Sequence, residues 1–200
     1  TENLPLTITS NPANNVIKVY YVKDNFDYTV EYYYDETIDN NKTDTITATY
    51  MDEITTYTDK NITGYRLDRT ENLPLIITEN EETNVIRVYY VKDNFDYTVE
   101  YYYDEIIDDS KTEVITATYL DVISTYTDKN IDGYKLDRTE YVPLTVIEIE
   151  EANVMRIFYT KDNFDYTVEY YYDEAIDDSK TETITATFAD IIDTYTDKNI

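Results

Sequence analysis

The sequence predicts a mostly β fold, α+β at most, laid out as small beads in tandem. Three observations predict it. The stretch DNFDYTVEYYYDE occurs unchanged at 24–36, 93–105 and 162–174, so Phe26, Phe95 and Phe164 stand 69 residues apart (95 − 26 and 164 − 95). TENLPL at 1–6 and 70–75, with TEYVPL at 139–144, and TYTDKNI at 56–62, 125–131 and 194–200 keep the same step. Inside each copy, β-branched and aromatic residues alternate with polar ones at period two, which is the strand signature. A period this long exceeds the roughly 20–50 residues of a solenoid unit, and domains of about 55–65 residues fold alone. Independent beads are therefore expected rather than stacked repeats.

The register divides the chain into residues 1–26, the back part of a repeat; 27–95 and 96–164, two complete repeats; and 165–200, the front part of a third. Leu4–Thr9 reads as an edge strand, because Pro5 cannot donate to a ladder. After a polar turn, 16–23 reads as the next strand, with Ile17, Val19 and Tyr21 on one face and Lys18, Tyr20 and Val22 on the wet one. The short link to the following repeat leaves no floppy hinge and places Phe26 at the joint. In the signature strand Tyr28, Val30, Tyr32 and Tyr34 share the buried face, and Thr29, Glu31, Tyr33 and Asp35 the solvent face. Residues 43–50 alternate again, with Ile46 and Ala48 inward, and suit a hairpin partner. Between 51 and 60, the Ile54–Tyr57 spacing fits one or two helical turns, while Thr55, Thr56 and Thr58 oppose a long helix. Gly64-Tyr65 then opens another strand.

Forty-three acidic and 16 basic residues give a net charge of −27. That argues against nucleic acid, whose phosphates need a basic surface, and against an anionic membrane surface. No apolar run approaches the roughly 20 residues of a membrane-spanning helix. No cysteine, histidine or tryptophan is present, whereas tyrosine reaches 25. Disulfides and cysteine-ligated metals are excluded, and the fold is expected to rest on packing. The chain lacks the usual bases and nucleophiles, and its paired carboxylates sit on repeated wet loops that do not split two pKa values. No enzyme and no cofactor are expected.

Two candidate sites stand out. Asp104, Glu105, Asp108 and Asp109 cluster in one loop, and Asp173, Glu174, Asp177 and Asp178 in its copy. Calcium is the cation such oxygens would take, although the EF-hand order is missing and a solvated hairpin tip is the leading reading. The second candidate is an exposed aromatic stripe, Tyr33, Tyr89, Tyr102 and Tyr171, able to stack on sugars. LPLT at 4–7 lacks the glycine of a sortase motif. Lys18, Arg87 and Arg156 sit on the wet face, where no Lys–Asn isopeptide bond forms.

YTVEYYYDE, YTDKNITGYRLD and NVIRVYYVK, in that order and spacing, resemble the MucBP (mucin-binding protein) repeats of Gram-positive surface adhesins and, in layout, internalin-type B repeats. The resemblance covers all 200 residues. It implies a ubiquitin-like β-grasp fold, beads joined end to end in an elongated rod, and an extracellular, cell-wall location. Two departures fall in turns. Glu36, Glu105 and Glu174 stand where the family has glycine, and a second family glycine is missing near Met51-Asp52. If the first and last strands of a bead are parallel neighbours, Tyr33 meets Tyr89, Glu31 meets Arg87, Tyr102 meets Phe158 and Glu100 meets Arg156. The expected function is a stalk, with multivalent contact to mucin or other host glycans as an added role. An alternative is a head-to-tail filament, in which the partial repeats at the two ends pair between copies by strand complementation.

Overall fold

A computed structural model describes residues 1–198; the last two residues of the third TYTDKNI motif lie outside the described residues. The described residues are mostly β, with three single-turn 3-10 segments and no α-helix. The chain divides into two compact units, Thr1–Lys92 and Asp93–Ile200.

In the first unit the strands are β1 (Asn25–Tyr34), β2 (Thr37–Ile38), β3 (Asp44–Thr49), β4 (Glu53–Ile54), β5 (Tyr65–Glu71), β6 (Leu75–Ile76) and β7 (Val85–Lys92). Antiparallel β3 lies on one side of β1, parallel β7 on the other, and β5 runs antiparallel to β7. The parallel register, Glu31 beside Arg87 and Tyr33 beside Tyr89, is the expected one. Alternation decides what is buried: Tyr28, Val30 and Tyr32 from β1 and Ile86, Val88 and Tyr90 from β7 form the core with Leu75 and Ile77.

The second unit repeats this plan with β8 (Asn94–Tyr103), β9 (Ile106–Ile107), β10 (Glu113–Thr118), β11 (Val122–Ile123), β12 (Tyr134–Glu140), β13 (Leu144–Thr145) and β14 (Val154–Lys161). Its core is Tyr97, Val99, Tyr101, Leu144, Val146, Met155, Ile157 and Tyr159. The third copy contributes β15 (Asn163–Val168), β16 (Tyr171–Tyr172), β17 (Ala175–Ile176) and β18 (Glu182–Thr187). Only Asp162 separates β14 from β15. There Asp162 N–H donates to Gly133 O at 2.8 Å, Lys135 pairs with Asp162 at 2.8 Å, and the Phe188 ring lies over Gly133.

Three expectations are corrected. The segments 4–9 and 16–23 are not strands; the described structure there is one Glu2–Lys18 bridge and a 3-10 turn. Their sequence suits a ladder, but the partners that flank β7 have no counterpart beside them, and Tyr21 and Val22 are 90% and 89% exposed. Residues 51–60 carry the short strand β4 and no helical turn. Finally, Ile46 shares the inner face with Ala48, opposite Tyr28, but on this outer strand it stays 41% exposed, while Ala48 packs against the core as expected.

The stretch after β4 forms no ladder up to β5, so its backbone must find partners elsewhere. Tyrosines supply them. Tyr32 Oη donates to Thr58 O at 2.6 Å, Tyr34 Oη donates to Lys60 O at 2.6 Å, and Lys60 N–H donates to Tyr90 Oη. The second repeat has the same bonds from Tyr101, Tyr103 and Tyr159, and the third copy has those from Tyr170 and Tyr172. The unusual tyrosine content thus pins an irregular segment onto the sheet.

Candidate functional site

The outer face of the sheet carries the aromatic candidates. Tyr33 and Tyr89 stack with ring centroids 4.6 Å apart, and Tyr102 and Phe158 do the same at 4.6 Å. Beside each pair, Arg87 Nε donates to Glu31 at 3.0 Å and Arg156 Nε donates to Glu100 at 2.9 Å. Tyr33 Oη and Tyr102 Oη donate to those same glutamates, both at 2.8 Å.

The stripe is not the free surface that alternation suggested. The Arg69 guanidinium lies 3.8 Å from the Tyr89 ring centroid and Arg138 lies 3.8 Å from that of Phe158. Tyr89 and Phe158 are consequently buried, and Tyr33 and Tyr102 are half-buried. Burial and the neighbouring Glu31 hold the Tyr33 hydroxyl pKa above its ordinary value. Tyr171 alone of the four candidates is open, at 57%, with Oη donating to Glu169 at 2.7 Å.

Each covering arginine is fixed by a carboxylate in a tight hairpin turn. Asp35 and Glu36 close the β1–β2 hairpin with φ of 47° and 63°, and Asp104 and Glu105 close β8–β9 with 50° and 67°. Such two-residue turns favour Asn-Gly or Asp-Gly, and side chains there cost conformational energy. Glu36 offsets that cost by a two-pronged ion pair with Arg69, at 2.8 and 3.0 Å, and Glu105 does so with Arg138 at 2.7 and 2.9 Å. The guanidinium holds the Glu36 and Glu105 carboxyls below the usual range. A glycine at this position could not form the clamp. A second turn holds the same left-handed backbone, since Met51, Leu120 and Ala189 have φ of 71°, 67° and 63°.

The carboxylate candidates do not converge. Asp104 accepts from Tyr134 Oη and Lys161 N, Glu105 holds Arg138, and Asp108 accepts from Ser110 and Lys111. Asp177 repeats the Ser bond with Ser179, and Asp109, Asp173, Glu174 and Asp178 are exposed. Hydrogen bonds from Ser110 and Ser179 lower the Asp108 and Asp177 pKa values. Among the described residues no three acidic groups are placed to hold a metal ion.

Two sets of residues escaped the sequence reading. Asn84 and Asn153 are fully buried. Each amide ties the chain ahead of the last strand to itself and to the first strand, through Thr78 and Asp27 O or through Ile147 and Asp96 O. Their recurrence at 15, 84 and 153, before a strand, was the available signal. The other set is Lys60, Lys129 and Lys198, which point inward to Asp44, Glu113 and Glu182.

A scan against protein-family models matches none, and a search of curated proteins finds no match.

Proposed function

We propose that these repeats form the stalk of an extracellular, wall-anchored bacterial surface protein and carry tension along it, each repeat a ubiquitin-like β-grasp bead in an elongated rod. One observation carries the reading. β1 opens a repeat and β7 closes it, and the two are parallel neighbours from Thr29–Val85 to Tyr34–Tyr90. Tension applied through the chain pulls them in opposite directions along the strand axis. All their mutual hydrogen bonds then resist together rather than opening one at a time. The second repeat has the same arrangement between β8 and β14. A net charge of −27 adds mutual repulsion that favours extension.

Glycan contact is the weaker role. Stacking on a sugar needs a free aromatic face, and Arg69 and Arg138 occupy those of Tyr89 and Phe158. Single-molecule pulling on the 200-residue chain tests the stalk reading. Two resolved force peaks are expected, each releasing roughly 200 Å of chain, the extended reach of about 69 residues less the folded span. Featureless extension at low force would reject it.

A further inference from the structure

The Tyr33–Tyr89 stack is a pair of phenols in ring-to-ring contact, with centroids 4.6 Å apart and planes inclined by 22°. Each hydroxyl donates to a carboxylate, Tyr33 Oη to Glu31 at 2.8 Å and Tyr89 Oη to Glu71 at 3.3 Å. The chain has 25 tyrosines and no cysteine or tryptophan to intercept a one-electron oxidant. Tyrosine is therefore the side chain from which an electron leaves most readily. A phenol that has lost an electron is a far stronger acid than a carboxylic acid, so its proton passes to the bonded carboxylate in the same step. The Arg69 guanidinium, 3.8 Å from the Tyr89 ring centroid, opposes a positively charged ring and makes that proton transfer obligatory.

We propose that Tyr33 and Tyr89 form an oxidative cross-linking site, joined ring to ring as dityrosine by a haem peroxidase that uses hydrogen peroxide. Tyr33 is half-buried and Tyr89 is 8% exposed, so the oxidant meets Tyr33. The first electron leaves Tyr33 and is replaced from Tyr89 across the stack; the second then leaves Tyr33 again. Each phenol loses one electron and one hydroxyl proton, and the protons go to Glu31 and Glu71. The two neutral phenoxyl radicals form one carbon–carbon bond between ring carbons next to the oxygens. The hydrogen on each of those carbons moves to its oxygen and restores both phenols. Peroxide takes up the two electrons and two protons and becomes two waters, so the chain loses two hydrogens in all. The new bond ties β1 to β7, the first and last strands of the repeat.

Two neighbouring pairs show what the site requires. Tyr34 and Tyr90 also stack, at 5.2 Å. There the Tyr34 hydroxyl donates to Lys60 O, a carbonyl that cannot carry a proton away, and Tyr90 is 1% exposed. In the second repeat Tyr102 stacks at 4.6 Å on Phe158, which has no hydroxyl to lose. The rest of the site is present in that repeat. Tyr102 donates to Glu100, Arg138 lies over the Phe158 ring, and Glu140 stands one period after Glu71. One chain thus holds a competent site and its own control.

The test treats the dilute 200-residue chain with hydrogen peroxide and a haem peroxidase, then cuts it after lysine. Peptides 24–42 and 61–92 carry the first pair, and 93–111 and 136–161 the second; all four differ in sequence. Mass spectrometry should find 24–42 joined to 61–92 with the loss of two hydrogens, and 93–111 not joined to 136–161. Tyr33→Phe should abolish the first link, and Phe158→Tyr should create the second. Both variants keep a six-membered ring in the stack, so circular dichroism before oxidation should be unchanged. Peptides 24–42 and 61–92 that stay separate, whatever happens to other tyrosines, overturn the proposal. So does a first link that survives Tyr33→Phe, equal linkage of both repeats in the unaltered chain, or a Phe158→Tyr chain that gains no second link.

Discussion

Asn84→Ala is the substitution that tests the architecture most directly, because the same residue occurs in three settings. Asn84 satisfies Thr78 N–H, Thr78 C=O and Asp27 C=O from a fully buried position. Alanine leaves all three without a partner. Stranding a buried polar group costs about 1–3 kcal/mol. Thr78 is exposed, so water recovers part of the loss and the low end applies, about 3 kcal/mol in all. At 1.4 kcal/mol per tenfold, opening of the first repeat should become on the order of a hundredfold more frequent. Asn153→Ala should cost the second repeat a similar amount, through Ile147 and Asp96. Asn15→Ala should cost under about 0.5 kcal/mol, since its partners are exposed and it holds no first strand. Hydrogen exchange read by mass spectrometry resolves the repeats within one chain. The reasoning is refuted if Asn84→Ala shifts exchange of β1 and β7 by less than about 1 kcal/mol, or if Asn15→Ala is as damaging.

Met51→Gly and Leu120→Gly relieve left-handed backbone at exposed residues. Each should raise stability by about 0.5–1 kcal/mol in urea titration, net of the entropy glycine adds to the unfolded chain. Gly133→Ala places a Cβ 2.3 Å from the Phe188 ring at φ +83°. It should cost the seating of the third copy about 3 kcal/mol, seen as faster exchange in β15 and β18, and Phe188→Ala should recover part of it. The hydroxyls of Tyr32, Tyr90, Tyr101 and Tyr159 are pushed well above 10, by burial first and then by nearby carboxylates. Their contribution to stability is complete below the unfolded value of about 10 and is lost as pH rises toward the folded values. Tyrosinate absorbance should therefore rise in two stages, the second coinciding with loss of the circular dichroism signal.

The strands were legible because each buries one face at period two. The parallel pairing was an expectation from the resemblance to MucBP repeats, and the β1–β7 register agrees with it. Exposure on the other face was not legible. Whether Tyr89 is open depends on Arg69, twenty residues earlier in the chain, and on Glu36, in the β1–β2 turn, holding that arginine. The irregular stretch after β4 was unreadable for a related reason. Its shape is imposed by tyrosine hydroxyls from β1 and β7, and no local pattern encodes it. The segment 16–23 shows the limit of pattern itself, because a strand sequence becomes a strand only beside a partner.

The parallel seam also sets a timetable for synthesis. Residues 31 and 87 meet across 56 positions, so on a ribosome adding about 5–20 residues per second the hairpin of β1 and β3 waits on the order of 3–10 s for β7. A near copy of β7, differing at Met155, Phe158 and Thr160 among others, follows one period later. The correct strand is chosen mainly because it emerges first. Refolding from denaturant removes that precedence and lets both copies compete for the same edge. A tandem of near-identical repeats should therefore regain its native pairing less completely than a single repeat does, with the shortfall growing as copies are added.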